Sequence, residues 1–376
     1  DLPPEIISSI IENAYYLQDN AEEHSADINL PDYKTLSACS LINSSWNRSA
    51  QPWLFKSVIL NTSFAATFLM NNLDDSGHAI LQHVRILDIK EVGLLCTDEE
   101  LGPIVVCALR RCTQLYELRI RRAPAVPLSD TTMDELRSLQ LPQLRSLRLR
   151  GKVQSIYLYQ FISTLPQLQF LSIESEFSRP PPPGLSCTAC FYEIRIWRTL
   201  PPYLLEWLLK PSKGHLEIFE LRDVPGVALK EILRPHCSTI RSLRLMPFNH
   251  ISVEIVKMCT QLEELTTMNI PTVFRLPPLP PTFRHLCIYL LNTHHRTSVS
   301  PIIKVLQDTP SMKSIRCNSL AANIRDFELL AEECKKHEVE LELGGTDSSQ
   351  WPSDDCVKAT SFPRRRSVAN LKRMNM

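Results

Sequence analysis

From Val84 onward, apolar residues recur at positions i, i+3 and i+5, within segments that resemble one another: CTQLYELRI, LPQLRSLRL, LPQLQFLSI and CTQLEELTT. The first positions are Val84, Leu115, Leu144, Leu168, Phe191, Leu216, Ile240, Leu262, Phe283 and Met312, and a weaker eleventh copy ends on Leu341 and Leu343. Alternation of this kind is that of a short strand with one buried face. Between the strands lie SDTTMDELRSL, SIYLYQFISTL, PPYLLEWLL, SPIIKVLQ and NIRDFELLAEECKKH, all amphipathic at helical spacing. Strand followed by helix, repeated, predicts an α/β solenoid with a curved parallel sheet. One unit cannot bury its own apolar face, so stacking has to line up Leu118, Leu147, Leu171, Ile194, Phe219, Leu243, Leu265 and Leu286.

The opening sixty residues follow a different period. Leu2-Pro3-Pro4-Glu5 suits a first helical turn, because proline presets φ and an acidic side chain favours the positive end of the helix dipole. Ile6, Ile7, Ile10, Ile11 and Ala14 then form a wide apolar stripe opposite Ser8, Ser9, Glu12 and Asn13. Asp32 is placed to cap a second helix burying Leu36, Cys39 and Ile42, and Trp46 and Trp53 follow. Phe55, Val58 and Leu60 repeat the strand spacing, which makes them the first strand and the N-terminal cap of the solenoid. A three-helix unit this short buries little alone, so part of its apolar surface is expected to serve another protein.

LPPEII, the spaced isoleucines, TLSACSLINSSW and PWLFKSVIL resemble an F-box in the form common among fungal F-box proteins. That resemblance implies a helical hook held by the Skp-type adaptor of an SCF cullin-RING ubiquitin ligase. Carried over residue by residue, the adaptor contacts are Leu2, Pro3, Ile6, Ile7, Ile10, Leu41 and Trp46. The polar, acidic stretch Leu17 to Lys34 lengthens the usual connection between the first two helices and is expected to shield or tune the docking face. Residues 84–343 resemble irregular leucine-rich repeats in period and pattern. The asparagine usual three residues after the last strand leucine is replaced by Val92, Ala123, Lys152, Glu176, Val224 and Phe248, so the turns must find hydrogen bonds elsewhere. The expected organisation is an adaptor-docking domain over residues 1–60, a target-binding solenoid over 61–343 and a disordered basic tail over 344–376. The chain opens on Asp1 rather than methionine, as a fragment or processed form does.

Composition narrows the chemistry. With 41 basic and 41 acidic residues the net charge is +0, so only local patches can attract polyanions. No apolar run is long enough to span a bilayer, and the 12 cysteines sit scattered in apolar segments as reduced, buried thiols. Cytoplasm, nucleus or both fit such a chain, and the sequons at Asn43, Asn47 and Asn61 are then chance matches. Only nine glycines occur and no phosphate-cradling loop, H-E-x-x-H or G-x-S-x-G is present. Neither His294-His295 nor Cys187-x-x-Cys190 has companions at metal-ligand spacing. A non-catalytic chain without metal or other cofactor is expected. Arg179 to Gly184 (RPPPPG) and Leu276 to Pro281 (LPPLPP) read as stiff loops more than as docking sites for proline-binding modules, and Arg364-Arg365-Arg366-Ser367 as a solvated basic stretch more than as a basophilic-kinase site or a localisation patch.

Position i+4 points away from the buried face and reads Asp88, Arg119, Arg148, Ser172, Arg195, Glu220, Arg244, Thr266, Cys287 and Arg316. Arg121, Arg150, Trp197 and Arg222 follow two places later, and Arg145 and Arg241 precede at i+1. One reading makes Arg119, Arg121, Arg148, Arg150, Arg195, Trp197 and Arg244 a target-binding surface for an acidic or phosphorylated segment, since guanidinium rewards bidentate pairing and stacking. The other pairs these arginines with Glu117, Glu174, Glu193 and Glu220 and lets them select nothing. The overall expectation is the substrate receptor of a ubiquitin ligase, set against a repeat scaffold with no ligase connection and a nucleic-acid-binding solenoid.

Overall fold

The computed structural model describes residues 2–16, 32–60, 81–89, 106–121, 129–139, 141–153, 156–177, 179–268, 276–290 and 298–344. Three helices open the chain: α1 (Pro4–Tyr16), α2 (Tyr33–Ser40) and α3 (Ser44–Leu54). The Pro3 carbonyl accepts the amides of Ile6 and Ile7 and starts α1. Asp32 caps α2 by accepting the Thr35 amide at 3.0 Å. Asn43 caps α3 through bonds from the amides of Ser45 and Trp46, so the side chain heading the first sequon has a structural task. Ile7, Ile11, Leu36 and Ala50 form the core of this block, flanked by Cys39, Trp46, Trp53 and Leu54.

Among the described residues twelve strands follow in chain order: β1 (Ser57–Leu60), β2 (Ile86–Ile89), β3 (Glu117–Ile120), β4 (Ser146–Val153), β5 (Phe170–Phe177), β6 (Glu193–Ile196), β7 (Ile218–Leu221), β8 (Ser242–Pro247), β9 (Glu264–Met268), β10 (His285–Tyr289), β11 (Ser314–Asn318) and β12 (Glu340–Gly344). Helices α4 (Asp130–Ser138), α5 (Tyr157–Ser163), α6 (Pro202–Leu209), α7 (Val227–Leu233), α8 (His250–Met258), α9 (Ser300–Asp308) and α10 (Phe327–Lys336) return the chain between strands. The fold class is α/β, with strand–helix repeats on parallel strands. Every strand position expected from the i, i+3, i+5 pattern is occupied. Helices α7 and α8 add to those expected.

The chain divides between Ala189 and Cys190 into two compact units. In the first, β1 to β5 pair in parallel and Leu87, Leu118, Leu147 and Leu171 stand in register, almost fully buried. In the second, β6 to β12 do the same with Ile194, Phe219, Leu243, Leu265, Leu286 and Ile315, and Leu341 follows in register but only half-buried. At most of the strand pairs one carbonyl ahead of a strand sets this register by accepting two amides of the next. Arg85 O takes Tyr116 and Glu117, Tyr116 O takes Arg145 and Ser146, and within the second unit Glu217 O takes Arg241 and Ser242.

The missing asparagines are replaced case by case. Asp223 accepts the amides of Thr199 and Val224 at 2.9 and 2.8 Å, Asn249 donates to Pro225 O, and Asn318 exchanges two bonds with the Leu290 backbone. The proline run Arg179 to Gly184 is a structural loop: Tyr159 holds the Arg179 carbonyl at 2.6 Å, and the run closes in a turn at Gly184, φ 81°. Residues 17–31 of the acidic insertion, Asn61, His294-His295 and residues 346–376 of the tail lie outside the described residues.

Two outcomes follow from this core. Leu243→Ala, at the centre of the second column, is expected to cost about 2–5 kcal/mol in urea unfolding. His236, buried after α7, is held below its ordinary value of 6.5 by burial and, less strongly, by Lys213, against a bond to the Ser212 backbone. A lowered folded pKa means the unfolded chain takes the proton first, so stability is present above 6.5 and is lost as pH falls through that value. Thermal midpoints measured between about pH 7.5 and 5.5 should fall on acidification, less steeply in His236→Leu.

Candidate functional site

The helical block sorts its isoleucines by burial. Ile7 and Ile11 turn inward, whereas Leu2, Ile6, Ile10, Leu41 and Ile42 stay 41% to 83% exposed. These five belong to the eleven exposed large hydrophobics among the described residues, although they come from the first 42 positions. Pro3 is exposed as well. Sequence periodicity placed Ile6, Ile7, Ile10 and Ile11 in one stripe. Helix α3 covers half of it and leaves the other half open.

Two expected adaptor contacts are thereby corrected. Ile7 is 2% exposed and belongs to the core, so no partner reaches it. Trp46 is half-buried and packs on that core, which leaves only part of its ring accessible. Ile42, expected inside, is outside. For Ile42 the reason is that α2 ends at Ser40, and the turn before Asn43 carries Leu41 and Ile42 away from the helix face.

On the strand faces opposite the leucine columns, carboxylates meet the arginines. In the first unit Arg121 makes a bidentate pair with Asp88 at 2.7 to 3.2 Å, Arg119 bonds Glu117 at 3.0 Å, and Arg148 bonds Glu174 at 2.8 Å. Arg150 stands 3.5 Å from the same Glu174 and is the most exposed of the four. In the second unit Glu220 is fully buried among three guanidinium groups: Arg222 at 2.6 Å, Arg195 at 2.7 Å and Arg244 at 3.7 Å. Glu193 meets Arg195 at 3.2 Å, and Glu264 meets Arg244 at 3.4 Å while accepting the Ser242 hydroxyl. The Arg222 guanidinium also lies 4.1 Å over the half-buried Trp197 ring.

Arg195 and Arg244, expected at a solvent-facing target surface, are each 1% exposed. They hold the strand face together and are not first contacts for a target. Adjacent parallel strands are about 4.8 Å apart, so a glutamate one strand away, or two residues away on the same strand, lies within reach of an arginine. The signal was present in the chain: Glu117, Glu193 and Glu264 occupy i+2, on the same face as the i+4 arginines. Among the described residues this pairing removes most of the unbalanced positive charge that a nucleic-acid surface needs.

Cys187 and Cys190 face local carbonyls, Ala189 O and Pro211 O, and burial pushes the Cys190 thiol up. Among the described residues no group of three or more His, Cys, Asp or Glu is placed to hold a metal ion, and no helix is long and apolar enough to cross a membrane.

No family model matches the chain. No curated protein matches it either. Among solved structures the chain is similar to one from the Toll–Spatzle complex of Drosophila, at a TM-score of 0.41 and 13% identity, covering 77% of this chain and 44% of that one.

Removing the central carboxylate tests the buried network. Glu220→Ala leaves three arginines without their shared partner and should cost about 3–5 kcal/mol in denaturant unfolding. Glu174→Ala should cost less, because Arg148 and Arg150 reach solvent.

Proposed function

We propose that this chain is the substrate-recognition subunit of an SCF-type cullin-RING ubiquitin ligase. Its helical block docks a Skp-type adaptor through Leu2, Pro3, Ile6, Ile10 and Leu41, with the open part of Trp46. The repeat units hold a target protein. What supports the reading is the row of exposed apolar side chains on α1 and at the α2–α3 turn, in the segment that resembles an F-box. Exposing so much apolar surface within 42 residues is unfavourable in water unless a partner covers it.

The chain acts on this reading by position and has no bond-making residue of its own. A target held on the repeats meets the ubiquitin-loaded enzyme at a raised effective concentration, while the chemistry belongs to other subunits. Arg119, Arg121, Arg148 and Arg150 of the first unit keep side-chain surface accessible to an acidic or phosphorylated target segment. Such a receptor works in the cytoplasm, the nucleus or both.

Co-purification from the native cell separates this reading from a repeat scaffold without a ligase. Ile10→Asp should leave the unfolding midpoint near that of the wild type while abolishing recovery of an adaptor-sized partner. Ile7→Ala, in contrast, should lower stability by about 2–5 kcal/mol. Recovery of the same partners with Ile10→Asp would overturn the assignment.

A further inference from the structure

Strand β12 ends the ladder of the second unit. Among the described strands it pairs only with β11, from Ser314↔Glu340 to Asn318↔Gly344. The Glu340 amide donates to Lys313 O at 2.9 Å. In a parallel ladder the backbone groups alternate direction, so the amides and carbonyls of Leu341 and Leu343 point to the open side. Side chains alternate too. Leu341 and Leu343 continue the buried positions of Ile315 and Cys317, yet Leu343 is 50% exposed, and among the described residues no strand stacks beyond it. Glu340 and Glu342 lie on the other face; Glu340 is exposed and Glu342 is 4.0 Å from Arg316.

A terminal repeat ordinarily turns a polar flank to water. This one leaves Leu343, and Leu329 of α10, in the open. The charges on the edge favour one occupant over another. A second copy pairing β12 with β12 antiparallel places glutamate opposite glutamate in the registers that use most of the strand, and like charges directly opposite are unfavourable. An incoming strand with lysine or arginine at alternate positions meets Glu340 and Glu342 with opposite charge. Its intervening apolar side chains extend the Leu341 and Leu343 rows.

We propose that the outer edge of β12 is a strand-addition site for an extended segment of a partner protein in which basic and apolar residues alternate. Backbone bonds to Leu341 and Leu343 supply attachment, and the Glu340 and Glu342 pairs supply selection. The site is independent of the helical block, so it stands whether or not an adaptor binds there.

The test uses the full chain and fluorescent peptides of repeating Lys-Val, repeating Glu-Val, and Lys-Val N-methylated on alternate amides. Fluorescence anisotropy should show the Lys-Val peptide binding, with the Glu-Val peptide at least about tenfold weaker. N-methylation should abolish binding, and hydrogen exchange should slow at Leu341 and Leu343 only when the Lys-Val peptide is present. Glu340→Lys/Glu342→Lys should invert the preference, and Ile10→Asp should change nothing. Lys-Val binding that survives N-methylation or the charge reversal overturns the proposal, as does its absence. Slow exchange at Leu341 and Leu343 in the free monomer means the chain covers its own edge, and a dimer dissolved by Leu343→Lys means a second copy does. Either result also overturns it.

Discussion

A four- or five-residue strand with two apolar side chains on one face has nowhere to bury them except against the same positions of the next strand. That constraint governs both units. It stacks Leu87, Leu118, Leu147 and Leu171 in the first and Ile194, Phe219, Leu243 and Leu265 in the second, each column nearly closed to water. Once the columns are in register, the opposite face has no freedom left. Its arginines and glutamates are brought together whether or not either was selected for a ligand, and Glu220 ends among three guanidinium groups. A buried network of this kind is costly to break and adds little net stability by being present.

The helical block and the last described strand face the inverse problem. Helices α1 to α3 close a small core on Ile7, Ile11, Leu36 and Ala50 and have no interior left for Ile6, Ile10 or Leu41. At β12 the column of described strands ends, with Leu343 half exposed. Surplus apolar surface appears in both places for lack of a neighbour. The chemistry differs, however: the N-terminal row is aliphatic and helical, whereas the C-terminal edge is an extended strand lined with carboxylates.

Much of this was legible in the chain. The i, i+3, i+5 recurrence located every strand, Asp32 announced the start of α2, and the glutamates two residues ahead of the strand-face arginines announced their pairing. Less legible was the sorting of near neighbours. Ile6 and Ile7 are chemically identical and adjacent, and only the placement of α2 and α3 sends one inside and the other out. The arginines at 148 and 195 occupy equivalent repeat positions, yet one keeps contact with solvent and the other has none.

By itself, then, the amino-acid order determined the period, the element types and the composition of each face, because these depend on contacts a few residues apart and on the alternation of side chains. Tertiary structure alone decided which apolar residues remain uncovered and which charges lose their water. Those outcomes depend on elements distant in the chain arriving at the same place, and a local pattern carries no record of what will lie above it.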